Sequence, residues 1–384
     1  MLWDPFLIYR WKRRRKEARK LRARVKATTV YSKATTVTRP ARGHCLAIGF
    51  LAEDNGLSRG YRAILDGFAQ QFESVVTLEA AGLTRERLAV RIAAEEIVAP
   101  DVLLILALPD SFERILPLFP PAFLARSWRI GVWFWEMARF PPSWTFAKAL
   151  LHEIWAPSSF NAEVFQTLEL PVMLTPPLAP TLPRILGGRV KWSIPDEAFV
   201  GLAIMDLRSC PARKNPLAHI EAWRGAFGGS AHHLLIIKPR FSRRTRHVRR
   251  AMQAAIAGIS NIRLLEADLD DEALLQLQSA ADVYLSMHRA EGYGLPMREM
   301  LALDIPVLAT GWSGNVDFMR CHPKAILLPF TLAPYEDELE AYFGAESDWA
   351  EPSIPAASQA LRQVAAKHPA GAGPKEAPRI EEQG

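Results

Sequence analysis

The 384 residues predict an α/β protein in which two doubly wound domains face a central cleft. Three observations carry that expectation. Short apolar runs alternate with amphipathic segments along most of the chain, the pattern of a parallel sheet covered on both faces by helices. Near the middle, residues 176–197 ("PPLAPTLPRILGGRVKWSIPDE") concentrate five prolines and the pair Gly187-Gly188, a composition suited to a hinge. On either side enough chain remains, at 49% apolar overall, for each half to bury its own core. In doubly wound folds a ligand sits outside the carboxyl ends of the strands, so the loops there are the places to search for chemistry.

Residues 1–43 read as a basic arm and tether. Positions 1–26 hold eleven Lys and Arg against Asp4 and Glu17, a net +9, which leaves −3 for the rest of a chain whose total is +6. Trp3, Phe6, Leu7, Ile8, Tyr9 and Trp11 accompany that charge. Aromatic plus basic suits an anionic membrane surface, where each basic residue contributes roughly 1 kcal/mol. A solvated helix and, less favoured, a nucleic-acid arm are the alternatives. Residues 27–43 show little periodicity.

The first domain, 44–180, runs from the strand "CLAIGFLA" through the helix "RGYRAILDGFAQQF", the strand "SVVTLEA", the helix "RERLAVRIAAEEIV" and the strand "DVLLILAL". The rhythm continues through "SFERILPLF", "WRIGVWFW", "PSWTFAKALLHE", "IWAP", "NAEVFQTL" and "PVMLTPP". After a linker at 181–197, the second domain, 198–345, repeats it with strands "AFVGLAIM", "HLLIIK", "NIRLLEA", "DVYLSM", "IPVLAT" and "AILLPF", separated by helical segments. A closing helix falls within 346–366, and 367–384 has the Pro, Gly, Ala and charge content of a disordered tail. No apolar run reaches the length of a membrane span, and the start lacks the apolar region of a secretory signal. Cys45, Cys210 and Cys321 are too few and too scattered for a disulfide framework, and the expected location is cytoplasmic.

The stretch "SMHRAEGYGLPMREM" sets Glu291 and Glu299 eight positions apart around a glycine turn. Ser286 ends a strand, Gly292 and Gly294 permit a tight path, and Pro296 suits a first helical turn. A helix N-terminus at the sheet's ligand edge favours a phosphate. The two oxygens of Glu299 can accept from vicinal hydroxyls such as a ribose offers, and Glu291 can do the same for a sugar. Read blandly, Glu299 only complements the helix dipole and Glu291 is a solvated loop residue.

With "MLALDIPVLATGWSGNVDFM" following, this pattern resembles the donor-site signature of retaining glycosyltransferases of the GT-B fold, built from two Rossmann-like domains. The likeness is to glycosyltransferase family 4 and its bacterial mannosyl/rhamnosyltransferase-like subgroup. "IGVWFWEMARFPPSWTFAKALLHEIWAPSSFNAEVF", "MDLRSCPARKNPLAHIEAWRGAF" and "DWAEPSIPAASQALRQV" resemble other blocks of that family in the same order, over residues 44–366. The resemblance implies an acceptor domain followed by a donor domain, and a nucleotide diphosphate sugar and a glycan or lipid-linked glycan as partners. No metal and no resident cofactor are implied. It assigns Arg213 and Lys214 to the departing diphosphate, with Arg208 as a second candidate, because fixed cations stabilise the charge a leaving diphosphate develops. Glu291 falls on the donor sugar and Glu299 on the ribose. The backbone of Tyr293, Gly294 and Leu295 falls on the pyrophosphate, and Ser313 and Gly314 on a neighbouring loop. In the first domain Gly56, Ser58, Arg62 and Glu136 fall at acceptor and loop positions.

The sequence departs from that pattern where Ser58 replaces a second glycine, with Gly60 as compensation, and where Arg298 and Met300 replace small residues. His152 stands where the subgroup carries an acid and reads as a structural histidine. Asp268 and Asp270 form a nominal Asp-x-Asp, better explained as helix capping than as metal ligation. "KPRFSRRTRHVRR" at 238–250 reads as a solvated face, with an anionic lipid or lipid-linked acceptor as the other reading. Three rivals to the transferase remain, one of them a nucleic-acid-binding protein led by the basic arm. A phosphorylase would need a pyridoxal lysine motif, and a catalytically silent scaffold draws support only from Ser58.

Overall fold

The computed structural model describes Arg19, residues 22–53, 55–337, 341–342, 344–345 and 347–368. Most of the basic arm, including its aromatic residues, and the tail expected to be disordered lie outside the described residues. The chain divides at Leu178 and Ala179 into two compact units.

The first unit begins with a helix, α1 (22–31). Strands β1 (His44–Gly49), β2 (Ser74–Glu79), β3 (Val102–Leu106), β4 (Trp128–Val132), β5 (Glu153–Ala156) and β6 (Val172–Leu174) follow, with α2 (Gly56–Phe68), α3 (Arg85–Ala93), α4 (Phe112–Ile115) and α5 (Ser159–Gln166) between them. All six strands are parallel, in the order β2-β1-β3-β4-β5-β6. The run Val-Leu-Leu-Ile-Leu of β3 is buried at every position because that strand is covered on both faces. The helices expected over "SFERILPLF" and "PSWTFAKALLHE" are shorter or tighter. Pro117 closes α4 into a 3-10 turn at Leu116–Leu118, and Pro142–Ala149 is 3-10 throughout.

Residues 22–43, read from sequence as arm and tether, run along the unit. Ala27 and Tyr31, four apart on α1, are buried, and the Tyr31 hydroxyl donates to the Phe119 carbonyl at 2.9 Å. Arg24 is buried against Asp110 at 2.5 Å and Glu113 at 3.4 Å, with its guanidinium over the Phe146 ring. Beyond α1, the Lys33 amide donates to Ala149 at 2.8 Å and Arg39 pairs with Glu153 at 3.1 Å. The buried Arg129 of β4 donates to the carbonyls of Tyr31 and Leu124. His152 Nδ1 accepts a hydrogen bond from the Arg129 amide at 2.9 Å, while Nε2 meets the Ala34 carbonyl and the ring stacks on Trp128. Burial pushes it down to about 4, so this neutral histidine is structural, as its place before β5 suggested.

The second unit comprises α6 (Gly188–Lys191), β7 (Phe199–Asp206), α7 (Pro211–Lys214), α8 (Pro216–Phe227), β8 (His233–Arg240), α9 (Arg246–Ala255), β9 (Ile262–Leu264), α10 (Asp271–Ser279) and β10 (Val283–Ser286). Then come α11 (Leu295–Ala302), β11 (Val307–Thr310), α12 (Val316–Met319), β12 (Ala325–Leu328), β13 (Phe330–Ala333), β14 (Trp349–Pro352) and α13 (Ile354–Ala366). Its second parallel sheet has the order β12-β11-β10-β7-β8-β9. Successive side chains of β7 feed opposite cores: Phe199, Ala203 and Met205 join Trp223 and Leu361 on one face, while Val200 and Leu202 join Met297 and Met300 on the other. β14, for which the sequence reading provided no strand, pairs antiparallel with β13. Asp270 caps α10 by accepting from the Ala273 amide at 2.8 Å. Cys45 and Cys210 are buried free thiols and Cys321 is an exposed one.

Candidate functional site

In the second sheet the chain leaves β7 toward β8 and β9, then returns to the other side of β7 with β10, β11 and β12. The order therefore reverses between β7 and β10, and the crevice outside their carboxyl ends is the expected ligand position of such a sheet. The segments that follow these two strands carry the charged residues singled out above: α7 after β7, and the loop 287–294 after β10.

Lys214 Nζ donates to Glu291 Oε1, and Arg213 Nη1 lies 3.1 Å from the same oxygen. Burial raises the Glu291 carboxyl, but the Lys214 and Arg213 charges lower it further, to about 2. One carboxylate and two cationic side chains, net +1, thus share one spot. Lys214, His219, Tyr284, Ser286, Glu291 and Pro296 line one small pocket. The backbone of Glu291 is fixed as well: its amide donates to Ser313 Oγ at 2.8 Å, and its carbonyl accepts from the Gly314 amide at 2.9 Å. Ser313 adopts φ +73°, and Asn215, between α7 and α8, adopts φ +50°. Left-handed non-glycine backbone of this kind concentrates at functional sites.

Gly294, at φ +95°, turns the chain into α11, and a Cβ there would stand 2.4 Å from Met297 Cε. A Cβ on Gly314 would stand 2.1 Å from the Gly292 carbonyl oxygen, so the two loops lie backbone against backbone. The Tyr293 ring is buried on Phe318, which leaves its backbone, with those of Gly294 and Leu295, at the start of α11. Glu299 is 5% exposed on the same helix, and its Oε2 accepts from Gln278 Nε2 at 2.9 Å. Burial, and after it the charges of Glu291 and Glu299, push the Tyr284 phenol up.

Several residues that sequence reasoning missed hold this arrangement. Arg213 reaches across to the Ala290 carbonyl at 2.9 Å, and Arg289 reaches back to the Ala212 carbonyl at 2.7 Å, so α7 and the loop after β10 clamp one another. The Arg289 amide adds a bond to the Arg213 carbonyl at 2.8 Å. Arg289 Nε pairs with Glu351 of β14, which also accepts from Asn215 at 3.2 Å. His219 joins the Asn215 carbonyl at 3.0 Å to the Met287 amide at 3.0 Å. His288 joins Ser286 Oγ at 2.9 Å to Asn315 Oδ1 at 3.1 Å. Burial pushes each of these histidines down to about 4, so both are neutral spacers. The adjacency of His288 and Arg289 to the Glu-Gly-Tyr-Gly stretch was the only signal the sequence offered.

Arg208 forks onto Asp206, with Nη2 to Oδ2 at 2.6 Å. Arg298 places its guanidinium over Phe318, and Met300 is core. In the first unit, Gly56 opens α2, whose cap Asn55 accepts the Ser58 amide at 2.8 Å. Ser58 is buried, and its hydroxyl donates to Phe50 at 2.6 Å, so this serine fastens the loop after β1. Arg62 donates to the Leu51 carbonyl of the same loop, Gly60 faces the Phe134 ring, and Glu136 is half-buried after β4. Among the described residues no group of three or more His, Cys, Asp and Glu is placed to hold a metal ion.

No protein-family model matches the sequence, and no curated protein does. Solved structures do. A glycosyltransferase from Rickettsia africae aligns with a TM-score of 0.58 at 12% identity, over 85% of this chain and 89% of that one. Sucrose-phosphate synthase from Thermosynechococcus elongatus aligns at 0.60 and 14%, over 85% and 90%. Anabaena HepE, solved in complex with UDP and glucose, aligns at 0.54 and 13%, over 74% and 84%. At such identities the likeness establishes the fold: two parallel six-stranded sheets with their helices, as in the GT-B glycosyltransferases.

Proposed function

We propose that the chain is a retaining, metal-independent glycosyltransferase of the family 4 type, moving a hexose or deoxyhexose from a nucleotide diphosphate sugar to a glycan or lipid-linked glycan in cell-surface polysaccharide synthesis. The observation that carries this reading is the Lys214–Arg213–Glu291 cluster at the reversal point of the second sheet, with Glu299 further along α11. Its net +1 charge suits a diphosphate. As the donor's phosphates engage Lys214 and Arg213, Glu291 is released to accept from sugar hydroxyls, while Glu299, steadied by Gln278, accepts from the ribose. The start of α11 supports the pyrophosphate through backbone amides and the helix dipole. As the C–O bond to the diphosphate breaks, the two fixed cations stabilise the negative charge that gathers on the leaving oxygen. No residue is assigned as a general base. The first unit takes the acceptor in this reading, near Gly56, Arg62 and Glu136. The enzyme works in the cytoplasm, with residues 1–26 against an anionic membrane.

Calorimetric binding across guanosine, uridine and thymidine diphosphate sugars tests the proposal, with Lys214→Ala and Glu299→Ala alongside. One donor class should bind to the native chain and weaken at least tenfold in both variants, a loss of about 1.4 kcal/mol or more. A folded native chain that binds none of them would instead be a silent homologue.

A further inference from the structure

We propose that α9 and the turn before it form an adsorption face for an anionic phospholipid surface, a site separate from the arm at 1–26 and independent of the catalytic reading. Five arginines, Arg243, Arg244, Arg246, Arg249 and Arg250, fall within eight residues, and all are exposed. The chain beyond residue 26 carries net −3, so this is a local concentration rather than part of a generally basic body. Only Arg249 has an acidic partner, Glu266 at 2.8 Å; among the described residues Arg243, Arg244, Arg246 and Arg250 meet no carboxylate. The opposite side of the helix is sealed, with Met252 buried in the core and Val248, Ala255 and Ile256 packed beside it.

The arrangement works against the isolated helix. Arg246 faces Arg249 and Arg250 at spacings of three and four, where like charges repel, and no acidic residue occupies the first turn. A partner with phosphate oxygens relieves that repulsion, and the planar fork of arginine binds phosphate with two parallel hydrogen bonds. Residues 242–260 contain no Trp, Tyr or Phe and only His247 as a stacking ring, a poor platform for nucleobases, which favours a bilayer over single-stranded nucleic acid. The outward positions carry charge and no large apolar group, so the contact is adsorption without insertion, reversed by salt. Each basic residue near such a surface is worth roughly fivefold in affinity, so the four unpaired arginines supply roughly several-hundredfold. That is a marginal anchor alone, and stable attachment takes a second signal, for which the aromatic and basic arm has the right chemistry.

The test is co-sedimentation of the full chain with phosphatidylglycerol/phosphatidylcholine vesicles and with phosphatidylcholine alone, at low and high salt. The native chain should sediment only with the anionic vesicles and only at low salt. Replacing Arg243, Arg244, Arg246 and Arg250 together by Gln should lower partitioning by roughly several-hundredfold without lowering the melting temperature, whereas the fourfold Arg→Lys chain should stay within a few-fold of native. A folded Gln chain that partitions like the native one overturns the proposal. So does a native chain that leaves the vesicles for single-stranded RNA in direct competition. Nucleotide-sugar binding, measured on the same samples, keeps the readings apart, since a chain that adsorbs but binds no donor refutes the transferase and leaves this face in place.

Discussion

Glu291 is a carboxylate whose single oxygen Oε1 meets two cations, and its behaviour in acid follows from that. Its folded pKa of about 2 lies below the 4.5 of an unperturbed glutamate, so the unfolded chain binds the extra proton as pH falls. The stability this group contributes is full above about 4.5 and is lost as pH drops toward 2, on the order of 3 kcal/mol in all. Denaturant titrations between pH 6 and pH 3 on native and Glu291→Gln protein should show the native chain losing more, and equal slopes would refute the ion-pair assignment. Glu291 was legible from its glycine-turn loop after a strand, whereas Arg213 and Lys214 were reached through the family resemblance. Arg289 was not, since its significance depends on the Ala212 and Arg213 carbonyls and on Glu351, distant in sequence and met only in the folded chain.

At the scale of elements, strands with continuous apolar runs were readable and marginal ones were not. β3 declares itself as Val-Leu-Leu-Ile-Leu, whereas β14 is four residues, Trp-Ala-Glu-Pro, with neither alternation nor length to mark it. Helices fared similarly, with α2 covering most of the expected helix "RGYRAILDGFAQQF" and the proline-interrupted segments tightening into 3-10 turns. The unforeseen β14 matters because it carries the outer support of the site: its Ala350 amide donates to the Arg289 carbonyl at 3.0 Å, and its Glu351 holds the Arg289 side chain. Glu351→Gln should loosen the clamp on α7 and weaken nucleoside diphosphate binding roughly tenfold, while the melting temperature moves little because the Glu351 side chain is 39% exposed. Arg289→Lys, which keeps the charge and loses the fork, should behave alike; unchanged affinity in both would remove β14 from the site.

For the molecule as a whole, the doubly wound architecture was evident from alternation and a proline-rich middle, and the solved GT-B structures share it at 12–14% identity. What alternation could not reveal was the packing of residues 22–43. The inward face of α1 is made by Arg24, Ala27 and Tyr31, and with a charged residue among three it is too short a pattern to separate from a solvated segment. The consequence is measurable. Compared with a chain lacking residues 1–21, one lacking 1–43 also loses the carbonyl partners of Arg129 and His152 and the Arg39 partner of Glu153, at a further cost of about 3 kcal/mol or more for buried groups left unpaired. Equal melting temperatures for the two truncations would contradict it. The same packing turns α1 into a short lever. A pull applied at α1 is carried, through the Lys33 and Arg39 contacts, to the bases of β4 and β5, so tension on this segment is delivered to the sheet itself.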